Sequence, residues 1–311
     1  MQFKEYYDKY PDSSNSDIAR IIHADFPSKS VRRLREIIGE ERPARPDPLK
    51  SNDINLTTDL GIGDGFDESY KDYIITTQNN LLLNDIHIPY HDLQTLKTAI
   101  DYGKDAKITG IILNGDIVDF YPLSRFNKDP HRSFKDELET TKSFLRQLRN
   151  IFPSAEIYFK IGNHEDRLEK YLNSKTPELL KLDCLEIENL LEFGALRIRK
   201  VQSNQVMVAG KLHIIHGHEY FSGLGAVNIA RNVLLKAFDN VIQGHSHVTN
   251  DYTVSKINGD IVAGWAVGCA CKLRPKYRPL NNWNHGFAHV IVEDNGDFEV
   301  KNYKVFNGKI Y

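Results

Sequence analysis

Short apolar runs recur through the second part of the chain, and five of them end directly in a polar motif. The runs LLL, GIIL, IYFKI, LHII and NVIQ are followed at once by NDIH, NGDIVD, GNHE, HGH and GHSH. Stretches of helical period separate several of these runs, and such alternation is typical of an α/β fold. Ligand sites in open α/β sheets lie beyond the carboxyl ends of the strands. The sequence therefore predicts an α/β domain, mainly parallel at first and with hairpins near its end, whose five motifs converge on one site.

The five motifs carry side chains of the kinds that bind divalent metals. The potential ligands and their polar neighbours are Asp85, His87, Asp116, Asp119, Asn163, His164, His216, His245 and His247. Each motif alone has a structural explanation, such as a strand-end turn or the capping of a following helix. Burying so many polar groups together is costly, however, unless something binds them. A mixture of imidazole, carboxylate and amide groups suits Mn, Fe, Zn or Ni, so we expect a metal centre.

In combination, the motifs resemble those of the calcineurin-like metallophosphoesterases. The matching pieces are Asp85 with His87, Gly115-Asp116 with Asp119, GNHE at 162–165, His216, and Gly244-His245 with His247. The resemblance covers about residues 78–300 and implies a four-layer α/β/β/α sandwich, in which helices flank two facing β-sheets and two metals lie between the loops. It also implies that one metal is held by Asp85, His87, Asp116 and His247, and the other by Asp116, Asn163, His216 and His245. His218 is a nearby alternative to His216.

The resemblance further implies hydrolysis of a phosphate ester. Two metals about 3.5–4 Å apart can hold and deprotonate a water that bridges them, and the hydroxide then attacks phosphorus. His164 would protonate the leaving oxygen or steady the phosphate, since imidazole titrates in a suitable range. Asp119 would orient His164, with a helix cap or turn as its structural alternative. Mn²⁺ is the cofactor we expect first, with Fe, Zn or Ni as alternatives.

Two positions bear on the kind of phosphate ester. The protein Ser/Thr phosphatases of this family carry one arginine after the second Asp and another before GNH, where this chain has Phe120 and Ile161. Such arginines usually grip a phosphomonoester dianion, so their absence argues against a protein phosphatase. Arg125, Arg132 and Arg167 lie near the motifs and could substitute. A phosphomonoesterase acting on protein or on a small molecule therefore stays open.

Cations and aromatic residues near the motifs favour a nucleic-acid substrate. The segment CKLRPKYRPLNNWNHG contains no acid and carries Lys272, Arg274, Lys276, Tyr277, Arg278 and Trp283. Such a segment can follow a phosphate backbone and stack bases, although a solvated loop is the alternative. Arg125 and Arg132 form a second cationic patch, SRFNKDPHR. GDIVDFYPLSRF and IGNHEDR also resemble phage- and prophage-encoded members of the superfamily, which are loosely grouped with DNA repair exonucleases.

Residues 1–40 are predicted to form a separate helical module that resembles a helix-turn-helix. SNSDIARIIHADF and SVRRLREIIG are predicted helices, with Ser14 or Ser16 as the N-cap of the first and Gly39 at the end of the second. The second helix and its approach carry Lys29, Arg32, Arg33 and Arg35. A recognition helix contacts DNA through such a cationic face, and a solvated helix face or a protein-docking module is the alternative. Residues 41–72 are predicted as Pro-rich linker and loop, and residues 73–311 as the phosphoesterase domain.

Three functional hypotheses follow from these features. The first is a two-metal phosphodiesterase or nuclease that acts on DNA, with residues 1–40 as a targeting module. The second is a phosphomonoesterase on protein or a small molecule. The third is a DNA-binding or assembly protein with little catalysis, and the complete ligand set argues against it.

Composition limits the partners and the compartment. The 311 residues carry a net charge of −2, so contact with nucleic acid would have to come from local patches. Three cysteines without zinc-site spacing favour reduced thiols, and the polar N-terminus MQFKEYYDKYPDSSNSD lacks a secretory signal. No apolar run has the length of a membrane span. We therefore expect a cytoplasmic protein without membrane contact, in a host cytoplasm if it is phage-encoded, and the oligomeric state stays open.

Overall fold

The computed structural model describes residues 3–10, 14–25, 30–41, 69–125, 129, 131–220 and 227–311. Contacts within the chain divide it into two compact units, Met1–Glu68 and Ser69–Tyr311. The division falls inside residues 41–72, the segment that the sequence predicts as linker and loop. Among the described residues, no helix is long and apolar enough to cross a membrane.

The N-terminal unit contains three described helices: α1 (Lys4–Lys9), α2 (Asn15–Asp25) and α3 (Val31–Glu41). Ser14 precedes α2, and its Oγ accepts a hydrogen bond from the backbone N of Asp17 at 3.2 Å, which identifies Ser14 as the N-cap. The apolar side chains of the unit form a small core of Phe3, Ile18, Ala19, Ile22, Leu34 and Ile38. The prediction that Gly39 ends the last helix is wrong, because α3 continues through it to Glu41.

The larger unit contains a seven-stranded sheet with the order β13-β12-β11-β2-β3-β4-β5. Its strands are β2 (Asn79–Leu83), β3 (Gly110–Asn114), β4 (Glu156–Lys160), β5 (Ile198–Val201), β11 (His285–Val292), β12 (Phe298–Phe306) and β13 (Lys309–Ile310). The first four are parallel to one another, and the last three pair antiparallel. This agrees with the predicted parallel set followed by hairpins.

A second sheet has six strands in the order β1-β6-β7-β8-β10-β9. Its strands are β1 (Tyr73–Ile74), β6 (Met207–Ala209), β7 (Leu212–Ile215), β8 (Val241–Gln243), β9 (Asn250–Ser255) and β10 (Ile261–Ala266). Within it, β7, β8 and β10 are parallel, whereas β6–β7 and β9–β10 are antiparallel pairs.

The larger unit contains six described α-helices, and three of them begin at a residue whose side chain caps the helix. They are α4 (Leu93–Asp105), α5 (Phe134–Ile151), α6 (Asp166–Lys175), α7 (Ile187–Leu190), α8 (Phe193–Leu196) and α9 (Ile229–Ala237). Asp92, Ser133 and Asn228 cap α4, α5 and α9 by accepting a hydrogen bond from a backbone N–H of the first turn. Short 3₁₀ turns lie at Tyr121–Leu123, Pro177–Leu179 and Asp183–Leu185.

Alternation along the central strands builds the layers. Leu81 and Leu83 belong to a core shared with helices α4 and α5, whereas Leu82 belongs to a second core shared with the six-stranded sheet. Helix α9 covers the opposite face of that sheet through Val233, which packs with Ile215 of β7. The order helix, sheet, sheet, helix confirms the predicted α/β/β/α sandwich.

Helix α5 buries the carboxyl group of Glu137, and the cost of this burial outweighs the nearby groups that favour its charge. Glu137 is 1% exposed, and the backbone of Tyr121 and the charges of Arg132 and Arg167 only partly offset the cost of burying its charge. Burial, reinforced by the negative charge of Asp119, raises the pKa of Glu137 to about 8. The folded protein therefore holds a proton that the unfolded chain releases at lower pH.

This buried acid predicts a pH-dependent loss of stability. Between the ordinary glutamate pKa and about pH 8 the folded state binds more protons, so the free energy of unfolding should fall as pH rises. Glu137→Gln removes this loss and should gain, relative to wild type, on the order of a few kcal/mol between pH 5.5 and 8.5. Urea unfolding at both pH values measures it. Glu139→Gln, an exposed neighbour on α5, should show no such gain, and a pH-independent effect of Glu137→Gln would contradict the prediction.

Candidate metal centre

The loops that follow β2, β3 and β8 hold their polar residues in left-handed backbone conformations. The φ angles are +51° for Asp85, +49° for His87, +54° for Asp116, +61° for His245 and +59° for His247. Such conformations cost a non-glycine residue roughly 1–2 kcal/mol and persist only where the surroundings enforce them. Backbone strain is thus concentrated at five of the predicted metal ligands, which indicates a functional site.

Two glycines in the motifs let these loops approach one another closely. A Cβ on Gly162 would lie 2.4 Å from the backbone N of Asp116, and one on Gly244 would lie 2.8 Å from Asp85 Oδ2. No larger residue fits either place without moving a ligand loop. The glycines of GNHE and GHSH therefore serve the assembly of the site.

One group of predicted ligands comprises Asp85, His87, Asp116 and His247, which the structure brings together. Asp85 Oδ1 lies 3.0 Å from His247 Nε2, and the Nε2 atoms of His87 and His247 are 3.3 Å apart. His87 Nε2 lies 3.8 Å from Asp116 Oδ2. All four side chains are buried, so their potential ligand atoms are shielded from solvent.

The second group shares Asp116 and adds Asn163, His216 and His245. His216 Nε2 lies 3.4 Å from Asp116 Oδ2, and ligand atoms of Asp116, His216 and His245 lie within 4.8 Å of one another. His216 Nδ1 donates to Asn114 O at 2.7 Å, which leaves Nε2 with its lone pair toward Asp116. Neither His216 Nε2 nor Asn163 Oδ1 has a hydrogen-bond partner in the described part of the chain, although both atoms are buried. Buried unpartnered acceptors beside carboxylates fit a divalent metal.

The electrostatics of the two groups favour bound cations. Burial opposes the charge of Asp85 and Asp116, but neighbouring imidazoles hold both pKa values well below the usual range. Burial likewise opposes protonation of His216 and His247, yet Asp116 raises the pKa of His216 to about 10 and Asp85 raises that of His247 to about 9. Burial lowers the pKa of His245 to about 4. The ionised carboxylates thus attract positive charge, which protons or divalent metals can supply.

His164 and Asp119 form a pair beside the shared carboxylate. His164 Nδ1 lies 2.9 Å from both Asp119 Oδ1 and Asp119 O, and its Nε2 lies 3.7 Å from Asp116 Oδ2. Asp119 Oδ1 also lies 3.0 Å from His87 Nδ1, so one carboxylate fixes two imidazoles. Burial lowers the pKa of His164. The Asp119 carboxylate thus contacts these histidines, as expected of an orienting group, whereas the following 3₁₀ turn has no side-chain cap.

Glu165 is a supporting residue that sequence reasoning missed. It is 2% exposed, and its carboxylate accepts hydrogen bonds at 2.8–3.0 Å from the backbone N–H groups of Asp116, Ile117, Val118 and Gly162. Burial and the charge of Asp116 raise the pKa of Glu165 to about 7. The sequence suggests only a helix start here, because four backbone donors from two separate loops are visible only in three dimensions.

Glu219 supports the loop of His216 in the same way. Its carboxylate accepts from the backbone N of His216 at 2.9 Å and of Gly217 at 2.6 Å, and Lys160 Nζ lies 3.0 Å away. His218 Nε2 lies 2.8 Å from Ser203 Oγ, a partner that belongs to neither ligand group. This contact favours His216 over His218 as the ligand.

Trp283 and Cys271 pack against His247. The ring centroids of Trp283 and His247 are 4.1 Å apart, and Cys271 Sγ lies 3.7 Å from His247 Nδ1. Arg278 lies over the Trp283 ring at 5.7 Å, and Tyr277 contacts the same ring at 6.5 Å. The sequence marks this segment only by its composition, and the structure places it against the predicted metal ligand His247. All three cysteines are free, as predicted.

The remaining predicted binding residues are distributed around the site and in the N-terminal unit. The Arg132 guanidinium lies over the rings of Tyr90 and Tyr121 at 4.7 and 4.0 Å. Lys272 Nζ pairs with Asp92 Oδ2 at 2.7 Å, so its charge is already compensated at the start of α4. Lys272 and Arg278 are exposed, as are Arg125, Arg274, Lys276, Arg32 and Arg35. Lys29 and the side chain of Arg33 lie outside the described residues.

Residues 81–273, more than half of the chain, match the family described as calcineurin-like phosphoesterase. The gene 54 protein of Mycobacterium phage L5 is 26% identical over 233 residues, which cover 68% of this chain and 88% of that protein. These matches confirm the predicted resemblance to calcineurin-like enzymes and to phage-encoded members.

Two solved structures match this chain at low similarity. Vacuolar protein sorting 29 from Cryptosporidium parvum is 14% identical with a TM-score of 0.43, covering 76% of this chain and 95% of that chain. The E. coli phosphoesterase Yfce is 13% identical with a TM-score of 0.32, covering 72% of this chain and 98% of that chain. Neither adds to the family match, because both TM-scores are low.

Removing the Glu165 carboxylate should weaken metal binding, although Glu165 is not itself a predicted ligand. Glu165→Ala leaves four buried backbone N–H groups without an acceptor, each costing about 1–3 kcal/mol where water cannot reach it. Metal affinity should fall about 10- to 100-fold, as is typical when support of a ligand is lost. Metal content after dialysis against graded Mn²⁺ measures this. Glu169→Ala, an exposed neighbour on α6, is the control, and unchanged metal affinity in Glu165→Ala would refute the supporting role.

Proposed function

Since this chain belongs to the calcineurin-like phosphoesterases and assembles their metal-binding side chains, it is a metal-dependent phosphoester hydrolase, and we propose that it is a phosphodiesterase or nuclease acting on DNA. The observation that carries the proposal is the contact of Trp283 with the metal ligand His247. Through this contact, the cationic and aromatic segment CKLRPKYRPLNNWNHG lies directly beside the predicted metal ligands.

The residues present fit two divalent ions. Asp85, His87, Asp116 and His247 would hold one of them, and Asp116, Asn163, His216 and His245 the other. When bound, such a pair activates a water and stabilises charge on the phosphoryl oxygens. We propose Mn²⁺ as the ion, because mixed imidazole and carboxylate sites accept it readily.

His164 is positioned to move a proton at the leaving oxygen. Its backbone N donates to Asp116 Oδ1 at 2.9 Å, and Asp119 fixes its Nδ1, so the ring presents Nε2 toward the shared carboxylate. His164 is not a member of the ligand set, and its side chain is 14% exposed. It can therefore meet a substrate oxygen without displacing a metal ligand.

The surroundings of the site suit a polymeric diester. Tyr277 and Arg278 are exposed next to Trp283, and aromatic faces interleaved with cations can stack bases and follow a phosphate backbone. Phe120 and Ile161 are 0% and 7% exposed, so the positions that carry arginines in the protein phosphatases supply only buried apolar groups. Both features support a diester over a phosphoprotein.

The N-terminal unit would add affinity for DNA. Arg32 and Arg35 are exposed on α3, and they would contribute to the cationic face of a recognition helix. Phosphate contacts of this kind position a protein on the duplex and make binding depend on salt.

A phosphomonoesterase is the second candidate. Arg132, held between Tyr90 and Tyr121, presents a guanidinium close to the motifs, and a guanidinium can grip a phosphate dianion bidentately. The third possibility, a DNA-binding or assembly protein with little catalysis, is disfavoured because each ligand position holds a competent metal-binding residue.

Cleavage of labelled DNA tests the proposed function. Mn²⁺-loaded protein should cut end-labelled single- or double-stranded DNA, and Asp116→Asn should not, because the shared carboxylate is lost. The product ladder distinguishes endonuclease from exonuclease action. Hydrolysis of aryl phosphates without DNA cleavage would contradict the nuclease proposal and favour the second candidate.

The contribution of α3 is tested by measuring DNA binding at several salt concentrations. Replacing both arginines, Arg32→Glu with Arg35→Glu, should weaken DNA binding and reduce the salt slope of the affinity by about two. Arg20→Glu on α2 is the matched control.

Replacing His164 should separate proton transfer from metal binding. His164→Ala should lower kcat about 10²- to 10⁴-fold for esters with poor leaving groups and less for p-nitrophenyl esters, which need little protonation. Metal content should stay at the wild-type value, since His164 is not a ligand. Elemental analysis beside steady-state kinetics measures both, and loss of the metals from His164→Ala would contradict the assignment.

A further inference from the structure

Arg167 is a cation at the reaction centre to which the hydrolytic mechanism above gives no role. It is the second residue of α6 and follows His164 by three positions. Its Nη2 donates to His164 Nε2 at 2.9 Å, and its Nη1 donates to Asp119 O at 2.8 Å. The guanidinium is therefore held at two points, on the backbone of one member of the catalytic pair and on the ring of the other.

The direction of these hydrogen bonds shows which edge of His164 is covered. A guanidinium only donates, so His164 Nε2 must be the acceptor, while Nδ1 faces Asp119. Nε2 is also the atom that lies 3.7 Å from Asp116 Oδ2. Arg167 thus donates to the lone pair of His164 Nε2, the imidazole nitrogen that faces Asp116.

The guanidinium retains unused donors at this position. Two of its five N–H groups are accounted for by the two contacts, and the described residues offer Arg167 no carboxylate partner within salt-bridge distance. Two other arginines of the domain do have such a partner, since Arg146 pairs with Glu192 and Arg199 with Glu156. A half-buried guanidinium with spare donors beside two metal-ligand groups is suited to a phosphate oxygen.

We propose that Arg167 binds a non-bridging phosphate oxygen of the substrate and, in doing so, leaves His164 Nε2 open to the leaving oxygen. Arg167 would then replace the arginines for which this chain has Phe120 and Ile161. Phosphate binding and the release of His164 Nε2 would occur together, because the same guanidinium would exchange its hydrogen bond to Nε2 for one to the phosphate oxygen. The inference rests on the proposed phosphoesterase function but not on DNA as the substrate.

Binding of inorganic phosphate tests this role without turnover. Calorimetric titration of phosphate into the full-length Mn²⁺-loaded protein should show affinity at least about 10-fold weaker in Arg167→Ala, as expected when a charge-assisted hydrogen-bond pair is lost. Arg167→Lys should recover part of the affinity, since it keeps the charge but not the planar fork. Lys170→Ala, an exposed cation on the same helix, should match wild type.

Kinetics and metal content complete the test. Arg167→Ala should raise KM for aryl phosphates by the same factor, with metal content unchanged. Phosphate affinity within twofold of wild type in Arg167→Ala would overturn the proposal, and so would loss of metal, which would make Arg167 a structural residue. If Arg167→Ala does not fold, the comparison of Arg167→Gln with Arg167→Lys decides, and equal phosphate affinity in the two would overturn it. Failure to cleave DNA leaves the phosphate titration unaffected, so the two proposals fail separately.

Discussion

The Asp116 carboxylate is the group on which the rest of the site depends. Its Oδ1 accepts from the backbone N of His164, and its Oδ2 lies 3.4 Å from His216 Nε2 and 3.8 Å from His87 Nε2. An ionised carboxylate that is 2% exposed is costly to bury unless nearby groups compensate it. The histidines around it and the metals they can bind supply that compensation. Loops from both sheets converge on Asp116, and their histidines thus offset the cost of burying its charge.

Two further carboxylates, the buried Glu165 and the partly buried Glu219, hold the loops of Asp116 and His216 in place. Glu165 fixes the loop of Asp116 on the seven-stranded sheet, and Glu219 fixes the loop of His216 on the six-stranded sheet. Lys160 at the end of β4 pairs with Glu219 beyond β7, so an ion pair connects the two sheets behind the metal ligands. Lys160 is fully buried and also donates to three backbone carbonyls, which satisfies its charge. The hydrogen bond from the backbone N of Asp116 to Glu165 supports the left-handed conformation of Asp116.

The sequence predicts the layers and the metal ligands because the signals for both are local. An apolar run such as IYFKI followed by GNHE indicates a strand and a strand-end ligand within nine residues. Nothing local indicates that Glu165 reaches the backbone of Asp116, or that Trp283 packs on His247, since each contact joins loops far apart in the chain. Lys272 lies in a segment whose composition predicts phosphate contacts, yet the structure pairs its side chain with Asp92.

The surroundings of His87 bear on whether the enzyme prefers monoesters or diesters. Asp119, which contacts His164, lies at the Nδ1 end of the His87 ring, and His247, on which Trp283 packs, lies at the Nε2 end. A phosphate bound at these ligands would meet His164 and Arg167 on the first side and the aromatic segment on the second. A monoester has a single ester arm and uses only the leaving-group side. A diester has two, and the second arm would give the aromatic segment beside His247 a substrate group to contact, which supports diester hydrolysis.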